Sequence, residues 1–234
     1  MKYFLTGFCM GLADLVPGIS GGTVAFLSGI YDTLIDAIRK LSFKVLLPIL
    51  IGMALAIFSF AHLIHLLLND PTSQRLLFAS FFLLMAGAIM ACLPRVTRWG
   101  PAEIALLLFG TLAAYFLTTT TSSLTWSLPL HLDYFLSGSI AVTAMLLPGI
   151  SGSYLLILLG KYPSVIAALS HFSTSLLHGH LNTDAAWLLL TLGLGILSGA
   201  LLFSRAIRFA LTHYHSQTLA LLIGLMTGGL PYLL

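Results

Sequence analysis

The sequence predicts an all-α polytopic membrane protein, built as an inverted repeat of a broken-helix hairpin plus two transmembrane helices, with one connecting helix. Three observations lead to this fold class. Only 7% of the 234 residues are charged and 59% are hydrophobic, whereas a soluble domain carries about 25% charged residues. Several apolar segments are long enough to cross a bilayer. One motif containing Pro-Gly occurs twice, each time near the middle of a long apolar region.

The scarcity of charge also excludes several classes of protein. So few charged side chains cannot cover the surface of a soluble enzyme of this size. The net charge of +3 is spread along the chain, and without a basic run to follow phosphates we expect no nucleic-acid partner. Cys9 and Cys92 lie in apolar stretches without metal-ligand spacing, so no metal and no cofactor are expected.

The first repeat is predicted over residues 1–100. Residues 3–38 are apolar but are broken by Pro17-Gly18 near the middle. As one straight helix they would be about 50 Å long at 1.5 Å per residue. This is too long for a single span, so we expect a hairpin that enters the membrane and returns. Two crossing helices and then the connecting helix are expected after it, over residues 45–68, 76–93 and 101–122.

The second repeat, over residues 133–234, is a copy of the first. A shift of 131 positions places residues 4–38 on residues 135–169 without a gap, so that each half contains Pro-Gly-Ile-Ser-Gly. A weaker copy continues downstream at an offset of 143, which places Gly52 on Gly195. The last span is short, and sharing it with a partner subunit would require a homo-oligomer. The elements expected in this half are a broken hairpin and two helices, over residues 133–169, 186–211 and 218–234.

The number of membrane crossings predicts how the two halves are related. A hairpin returns to its own side, two helices cross and recross, and the connector crosses once more, so the second copy starts on the opposite side. If a broken region crossed only once, the repeats would instead be parallel. On the first count eight basic residues share the side of the N-terminus, which the positive-inside rule makes cytoplasmic. These eight are Lys2, Arg39, Lys40, Lys44, Arg95, Arg98, Arg205 and Arg208.

Each break is predicted to start a new helix whose N-terminus can bind an anion, the first running from Pro17 to about Ile38. Proline removes a backbone donor and glycine permits unusual dihedral angles, so the chain can turn sharply there. The first N–H groups of the new helix lack carbonyl partners, and the helix dipole is positive at that end. Two such ends would point at the middle of the membrane; the alternative is a glycine-rich helix contact without a ligand. The candidate phosphate-binding residues are Gly18, Ser20, Gly21, Gly22 and Thr23 in the first break and Gly149, Ser151, Gly152 and Ser153 in the second.

Both broken regions resemble the signatures of one known family. The runs GLADLVPGISGGT (residues 11–23) and AMLLPGISGS (residues 144–153), with Gly29 and Tyr31 after the first and Gly160 and Tyr162 after the second, closely resemble the bacterial polyprenyl-phosphate transporter family. Its members were long catalogued as a domain of unknown function. The resemblance spans nearly the whole chain and implies a membrane lipid transporter rather than an enzyme. It implies a flippase that returns undecaprenyl phosphate, the carrier lipid of peptidoglycan synthesis, from the outer to the inner leaflet of the cytoplasmic (inner) membrane. The partners are then this or a related polyprenyl phosphate and the membrane lipids.

Three charged residues are further candidates. Arg205 lies near the cytoplasmic end of its predicted helix, where a guanidinium can bind phosphate bidentately or reach the headgroups. Asp14 stands beside the first break, and an acid in an apolar run indicates proton coupling, gating or capping of the break through backbone donors. Lys161 follows the second break near the predicted outer surface. There it is expected either to recruit lipid phosphate from the outer leaflet or to be an ordinary interfacial lysine.

Two other functions fit parts of the pattern. Ser20 and Ser151 each stand in a Gly-x-Ser-Gly of the kind found in intramembrane serine proteases, and His62 on another helix could supply a base. Against a protease, Arg205 stands where the second serine would need its histidine. Broken helices also line anion channels. Labelling by a fluorophosphonate probe would indicate the protease, and ion currents in planar bilayers would indicate the channel.

Overall fold

The computed structural model describes residues 1–15, 20–120, 129–177 and 182–233. These residues form α-helices joined by short turns, and no strand occurs among them, so the all-α class is confirmed. Short 3-10 turns follow α5 and α11, at Leu93–Arg95 and Leu230–Leu233. In chain order the helices are α1 (Lys2–Asp14), α2 (Gly21–Leu27), α3 (Tyr31–Arg39), α4 (Phe43–Asn69), α5 (Pro71–Cys92), α6 (Pro101–Thr119), α7 (Leu130–Leu146), α8 (Gly152–Leu158), α9 (Tyr162–Leu177), α10 (Thr183–His213) and α11 (His215–Gly229).

Four helices in the described part of the chain are long and apolar enough to cross a bilayer. They are α4, α5, α6 and α10, with mean hydropathy between 1.6 and 2.5. A fifth crossing results if α8 and α9, which are bent by 109° relative to each other, count as one broken span. Large apolar side chains such as Phe58, Phe109 and Leu202 are exposed on the long helices, as a surface in contact with lipid requires. The chain is a multi-pass membrane protein.

Each broken region contains three helices rather than two. The prediction of one helix from Pro17 to about residue 38 is wrong, because α2 ends and α3 begins on either side of Gly29. Gly29 has a φ of +68°, a left-handed conformation that ends helices and that glycine adopts without steric cost. Gly160 has a φ of +66° at the equivalent place between α8 and α9. The second region therefore repeats the local structure of the first.

The long helix after each broken region crosses the first helix of that region at a close glycine contact. Gly7 and Gly52 lie where α1 crosses α4, and Gly138 and Gly195 lie where α7 crosses α10. A Cβ added at any of the four would overlap a backbone atom of the partner helix. Small residues permit this approach in a membrane, where no hydrophobic force drives helices together. The two crossings use positions related by offsets of 131 and 143, which supports the predicted duplication, while the inversion of the halves stays a prediction.

The last helix, α11, lies in the core of the protein against α6. Gly110 of α6 and Gly224 and Gly228 of α11 each lie so close to the partner backbone that an added Cβ would overlap it. Most residues of α11 are buried. The helix covers His215–Gly229, whereas the sequence predicted a span over residues 218–234. The helix also packs directly against the second break.

Candidate functional site

The two breaks of the chain contact each other through hydrogen bonds. The Ser20 hydroxyl, at the start of α2, donates to the Met145 carbonyl near the end of α7 at 2.7 Å. The Gly149 N–H, in the second break, donates to the Thr23 hydroxyl at 3.0 Å. These partners are 125 and 126 residues apart in the chain. The structure thus brings three of the candidate phosphate-binding residues, Ser20, Thr23 and Gly149, into one network.

Ser20 also caps α2. Its hydroxyl accepts a hydrogen bond from the Gly22 N–H at 3.1 Å, and only 1% of the residue is exposed. Serine suits this place because its oxygen satisfies a free N–H of the first helical turn. A Cβ added at Gly22 would lie 2.8 Å from the Met145 carbonyl oxygen and 3.0 Å from that of Leu146. The glycine therefore lets the end of α7 approach α2, and the polar atoms of the contact are shielded.

Asp14, at the end of α1, occupies the N-terminus of α2. Its Oδ1 accepts from the Gly21 N–H at 2.7 Å, while its buried Oδ2 has no hydrogen-bond partner among the described residues. The Thr23 N–H donates to the Ser20 carbonyl at 2.9 Å. The first three N–H groups of α2, including that of Gly22, thus have partners within the chain. Capping by Asp14, one of its predicted roles, is confirmed, and a phosphate can bind the Gly21 N–H only after this carboxylate has moved.

The second break differs in its polar groups. Met145 stands in α7 where Asp14 stands in α1, so the acid that caps α2 has no counterpart at this position. The Ser151 side chain makes no capping bond to α8, and its hydroxyl lies 2.9 Å from that of Ser153. Gly152 is buried at the first position of α8. The start of α8 therefore presents a pair of hydroxyls in place of the carboxylate found at the start of α2.

Gly149 holds the second break against α11. Its φ is +89°, and a Cβ added to it would lie 2.7 Å from both the Leu225 carbonyl oxygen and the Met226 Cα. Glycine is the residue that tolerates both the left-handed backbone and this close approach. The matching Gly18 of the first break, with Pro17, lies outside the described residues.

Arg205 lies apart from the contact between the breaks. It is exposed on α10 and lines a cleft that no break residue lines. The structure therefore does not bring Arg205 together with the other candidate phosphate-binding residues. The cleft has a volume of about 390 Å³ and is lined by Arg39, Arg205, Arg208, Phe209 and Thr212.

Lys161 forms an ion pair. Its Nζ donates to the Asp133 carboxylate and lies 5.7 Å from the centre of the Tyr134 ring. The lysine side chain is 18% exposed and the aspartate side chain 7%. The pair ties the turn between α8 and α9 to the start of α7. The partner of Lys161 could not be predicted from local sequence, because 28 residues and one break separate the two.

Other contacts of this region also carried no local signal in the sequence. Arg39 joins the cleft of Arg205 through the packing of α3 on α10.

The protease alternative requires a serine and a histidine base. The Ser20 hydroxyl donates to a carbonyl, and the side chain of His62, the base considered for a protease, lies outside the described residues. Within the described ranges, no three His, Cys, Asp or Glu side chains are grouped to hold a metal ion.

Comparison with known proteins gives matches over nearly the whole chain. A family model described as undecaprenyl phosphate translocase-like matches residues 10–234. A protein of Vibrio cholerae serotype O1 named polyprenyl-phosphate transporter is 34% identical, over 99% of this chain and 76% of its own length. A Staphylococcus aureus protein of the same name is 37% identical, over 97% of this chain and 83% of its own length. No solved structure matches the chain significantly.

Proposed function

The chain belongs to the undecaprenyl phosphate translocase-like family, and we propose that it is a lipid flippase for undecaprenyl phosphate. It carries this lipid from the outer to the inner leaflet of the bacterial cytoplasmic membrane, so that the carrier is used again in cell-wall biogenesis. Because no covalent bond is broken, it acts as a transporter rather than an enzyme. Its N-terminus faces the cytoplasm, since eight of the ten basic residues then lie on that side.

The observation that carries this proposal is the hydrogen-bonded contact between two broken helices inside an apolar bundle. Backbone groups at a break cannot stay unsatisfied in a membrane. Ser20, Thr23 and Gly149 satisfy several of them with neutral hydrogen bonds, each contributing about 0.5–1.5 kcal/mol net. A phosphate can replace them with charge-assisted bonds of about 1.5–3 kcal/mol each. The contact is therefore suited to open around a lipid phosphate and to close behind it.

The proposed path takes the phosphate from the second break to the first. Lys161, at the outer end of the second hairpin, recruits the lipid from the outer leaflet. The second-break groups then receive the phosphate, because their helix start carries hydroxyls where the first break has a carboxylate. While the phosphate passes the breaks, the hydrocarbon chain stays in lipid, so the site opens sideways there. The groups that bind the phosphate are Gly149, Ser151, Gly152 and Ser153 in the second break and Gly18, Ser20, Gly21, Gly22 and Thr23 in the first.

Replacing both break serines tests this assignment. We expect the double variant Ser20→Ala and Ser151→Ala to translocate labelled undecaprenyl phosphate about tenfold to a hundredfold more slowly in liposomes, since each lost hydroxyl removes a hydrogen bond to the phosphate. Ser80→Ala is the matched control, because among the described residues this exposed hydroxyl bonds only to the Leu76 carbonyl of its own helix. Unchanged translocation by the double variant would remove the serines from the site. A wild-type protein that moves no lipid would contradict the flippase itself.

Asp14 is proposed to gate the first break. Its carboxylate holds the Gly21 N–H that the phosphate needs, and it repels the phosphate while it is charged. Uptake of a proton by Asp14 removes this repulsion and weakens the cap. Entry of the phosphate into the first break is then coupled to proton supply.

The substitution Asp14→Asn separates the charge of this cap from its hydrogen bond. The amide oxygen can still accept from the Gly21 N–H, so we expect a folded protein whose translocation rate no longer responds to an imposed proton gradient, whereas the wild type responds. Asp70→Asn is the control, because the exposed Asp70 likewise caps a helix through its carboxylate, to the Ser73 N–H at 2.8 Å. A gradient response that survives in Asp14→Asn rules out this gating role.

A further inference from the structure

A cleft at one end of the molecule holds three arginines. Arg39, at the end of α3, and Arg205 and Arg208, on α10, line it together with Phe209 and Thr212, and its volume is about 390 Å³. Pockets that bind small molecules range from about 300 to 1,000 Å³. The cleft is therefore large enough for a phosphate group, and most of its lining side chains are hydrogen-bond donors.

The positive charge of this cleft is only partly compensated. Arg208 pairs with Asp32 at 3.3 Å and with Asp36 at 3.4 Å, and Arg39 pairs with Asp36 at 3.4 Å. Among the described residues Arg205 has no acidic partner, and the buried Arg39 Nε has no hydrogen-bond acceptor. Two carboxylates thus face three guanidinium groups. The cleft keeps one excess positive charge and unused donors for an anion.

An apolar cavity of about 310 Å³ lies between helices of the two halves, and two of its lining residues are close in the chain to arginines of the cleft. Ile38, which directly precedes the first arginine of the cleft, lines it. Leu201 also lines it, one helical turn, or about 6 Å, before Arg205. The same cavity borders Gly22 and Met145, which meet where the two breaks contact each other. The lining of the apolar cavity thus comes within one helical turn of the arginine cleft and also includes residues at the contact between the breaks.

We propose that the cleft and the cavity together bind one polyprenyl monophosphate, with its phosphate on Arg39, Arg205 and Arg208 and its first isoprene units in the cavity. This site rests on the transport function proposed above and adds to it a place where the lipid phosphate is held after passing the breaks, at the end predicted to face the cytoplasm. An amphiphile fits both parts, because guanidinium groups bind phosphate bidentately and the cavity offers apolar contacts. A phosphate monoester has three terminal acceptor oxygens, so it can accept more hydrogen bonds from the three guanidinium groups than a phosphodiester lipid, which has two.

Binding of short probes to the full-length protein in phosphatidylcholine nanodiscs tests the two parts separately. The probes are farnesyl phosphate, farnesol without the phosphate, and inorganic phosphate without the chain. We expect the wild type to bind farnesyl phosphate more tightly than either of the others. Arg205 is an exposed residue of α10. We expect Arg205→Gln to lower the affinity for farnesyl phosphate about tenfold and to leave the affinity for farnesol unchanged.

A phenylalanine at Gly193 tests the apolar part. Gly193 lines the cavity, and a Cβ added there would meet no atom within 4 Å, so the larger side chain can fill the cavity without displacing the backbone. We expect Gly193→Phe to lower the affinities for farnesyl phosphate and farnesol about tenfold, because the new side chain keeps their apolar chains out of the cavity. The affinity for inorganic phosphate is expected to stay unchanged. Gly87→Phe is the matched control, because Gly87 is an exposed glycine of α5 with equally open space.

Three results overturn the proposal. The first is an unchanged affinity of Arg205→Gln for farnesyl phosphate. The second is displacement of farnesyl phosphate by phosphatidylglycerol at equal concentration, which indicates a general anionic-lipid surface. The third is inorganic phosphate that binds as tightly as farnesyl phosphate, which indicates a site for free phosphate.

The translocation assay separates this proposal from the flippase proposal. If the wild type binds the probes as expected but moves no undecaprenyl phosphate between leaflets, the flippase fails and the binding site stands. If the wild type translocates the lipid while Arg205→Gln and Gly193→Phe bind all probes normally, the binding site fails and the flippase stands.

Discussion

Replacing Gly149 by alanine is expected to lower the free energy of unfolding by about 2–6 kcal/mol, the sum of backbone strain and overpacking. The backbone at Gly149 is left-handed, with φ at +89°. The new Cβ would also lie 2.7 Å from backbone atoms of Leu225 and Met226, in a buried helix that cannot easily move. Unfolding of the purified protein in detergent, followed by circular dichroism, measures the loss.

Gly160→Ala is the control that separates the two causes. Gly160 has a φ of +66°, but a Cβ added there would meet no atom within 4 Å. We expect Gly160→Ala to lower the free energy of unfolding by about 1–2 kcal/mol, the strain of a left-handed residue alone. Equal losses at Gly149 and Gly160 would show that the approach of α11 to the second break contributes nothing. A larger loss at Gly149 indicates that α11 holds this break in place.

Replacing Lys161 by methionine is expected to lower the free energy of unfolding by about 3–5 kcal/mol, because it removes the ammonium group that pairs with the buried Asp133 carboxylate. The Asp133 side chain is only 7% exposed. The double variant Lys161→Met and Asp133→Leu should recover most of this stability, since a buried ion pair can be exchanged for apolar residues at little cost. Chemical unfolding of the wild type, the two single variants and the double variant gives the coupling energy of the pair.

Translocation by the double variant then tests the recruitment role of Lys161. If the lysine attracts lipid phosphate at the outer surface, a stable double variant still transports slowly. A stable double variant that transports at the wild-type rate contradicts recruitment and leaves Lys161 with a structural role. Lys161→Met alone cannot separate these roles, because its loss of stability also slows transport.

Much of the break region could be predicted because it depends on local chemistry. Proline and glycine interrupt a helix through their own backbone, and Ser20 caps α2 through an N–H two residues away. Asp14 could also be predicted as a cap, seven residues from the Gly21 N–H. The second interruption of each hairpin, at Gly29 and Gly160, could not be predicted, because a single glycine in an apolar run is compatible with a continuing helix.

The partners of the charged residues could not be predicted in the same way. Arg205 was grouped with the break residues because both are suited to phosphate, yet it lies in a separate cleft with Arg39. Lys161 is predicted from the sequence to recruit lipid phosphate or to be an interfacial lysine, and the structure pairs it with Asp133. In both cases the partner comes from another helix, and its identity depends on which helix faces meet.

The sequence by itself determined that the chain is a membrane protein, that it contains two copies of a broken hairpin motif, and that Ser20 is suited to cap the first new helix. Composition and local backbone chemistry suffice for these conclusions. Only the tertiary structure decided that the two breaks bind each other, that Asp14 fills the first helix start, and that α11 lies in the core. The physical reason is that lipid-facing and buried helix faces are both apolar in a membrane protein. Hydrophobic periodicity, which reveals the buried face of a soluble helix, therefore cannot show which faces meet.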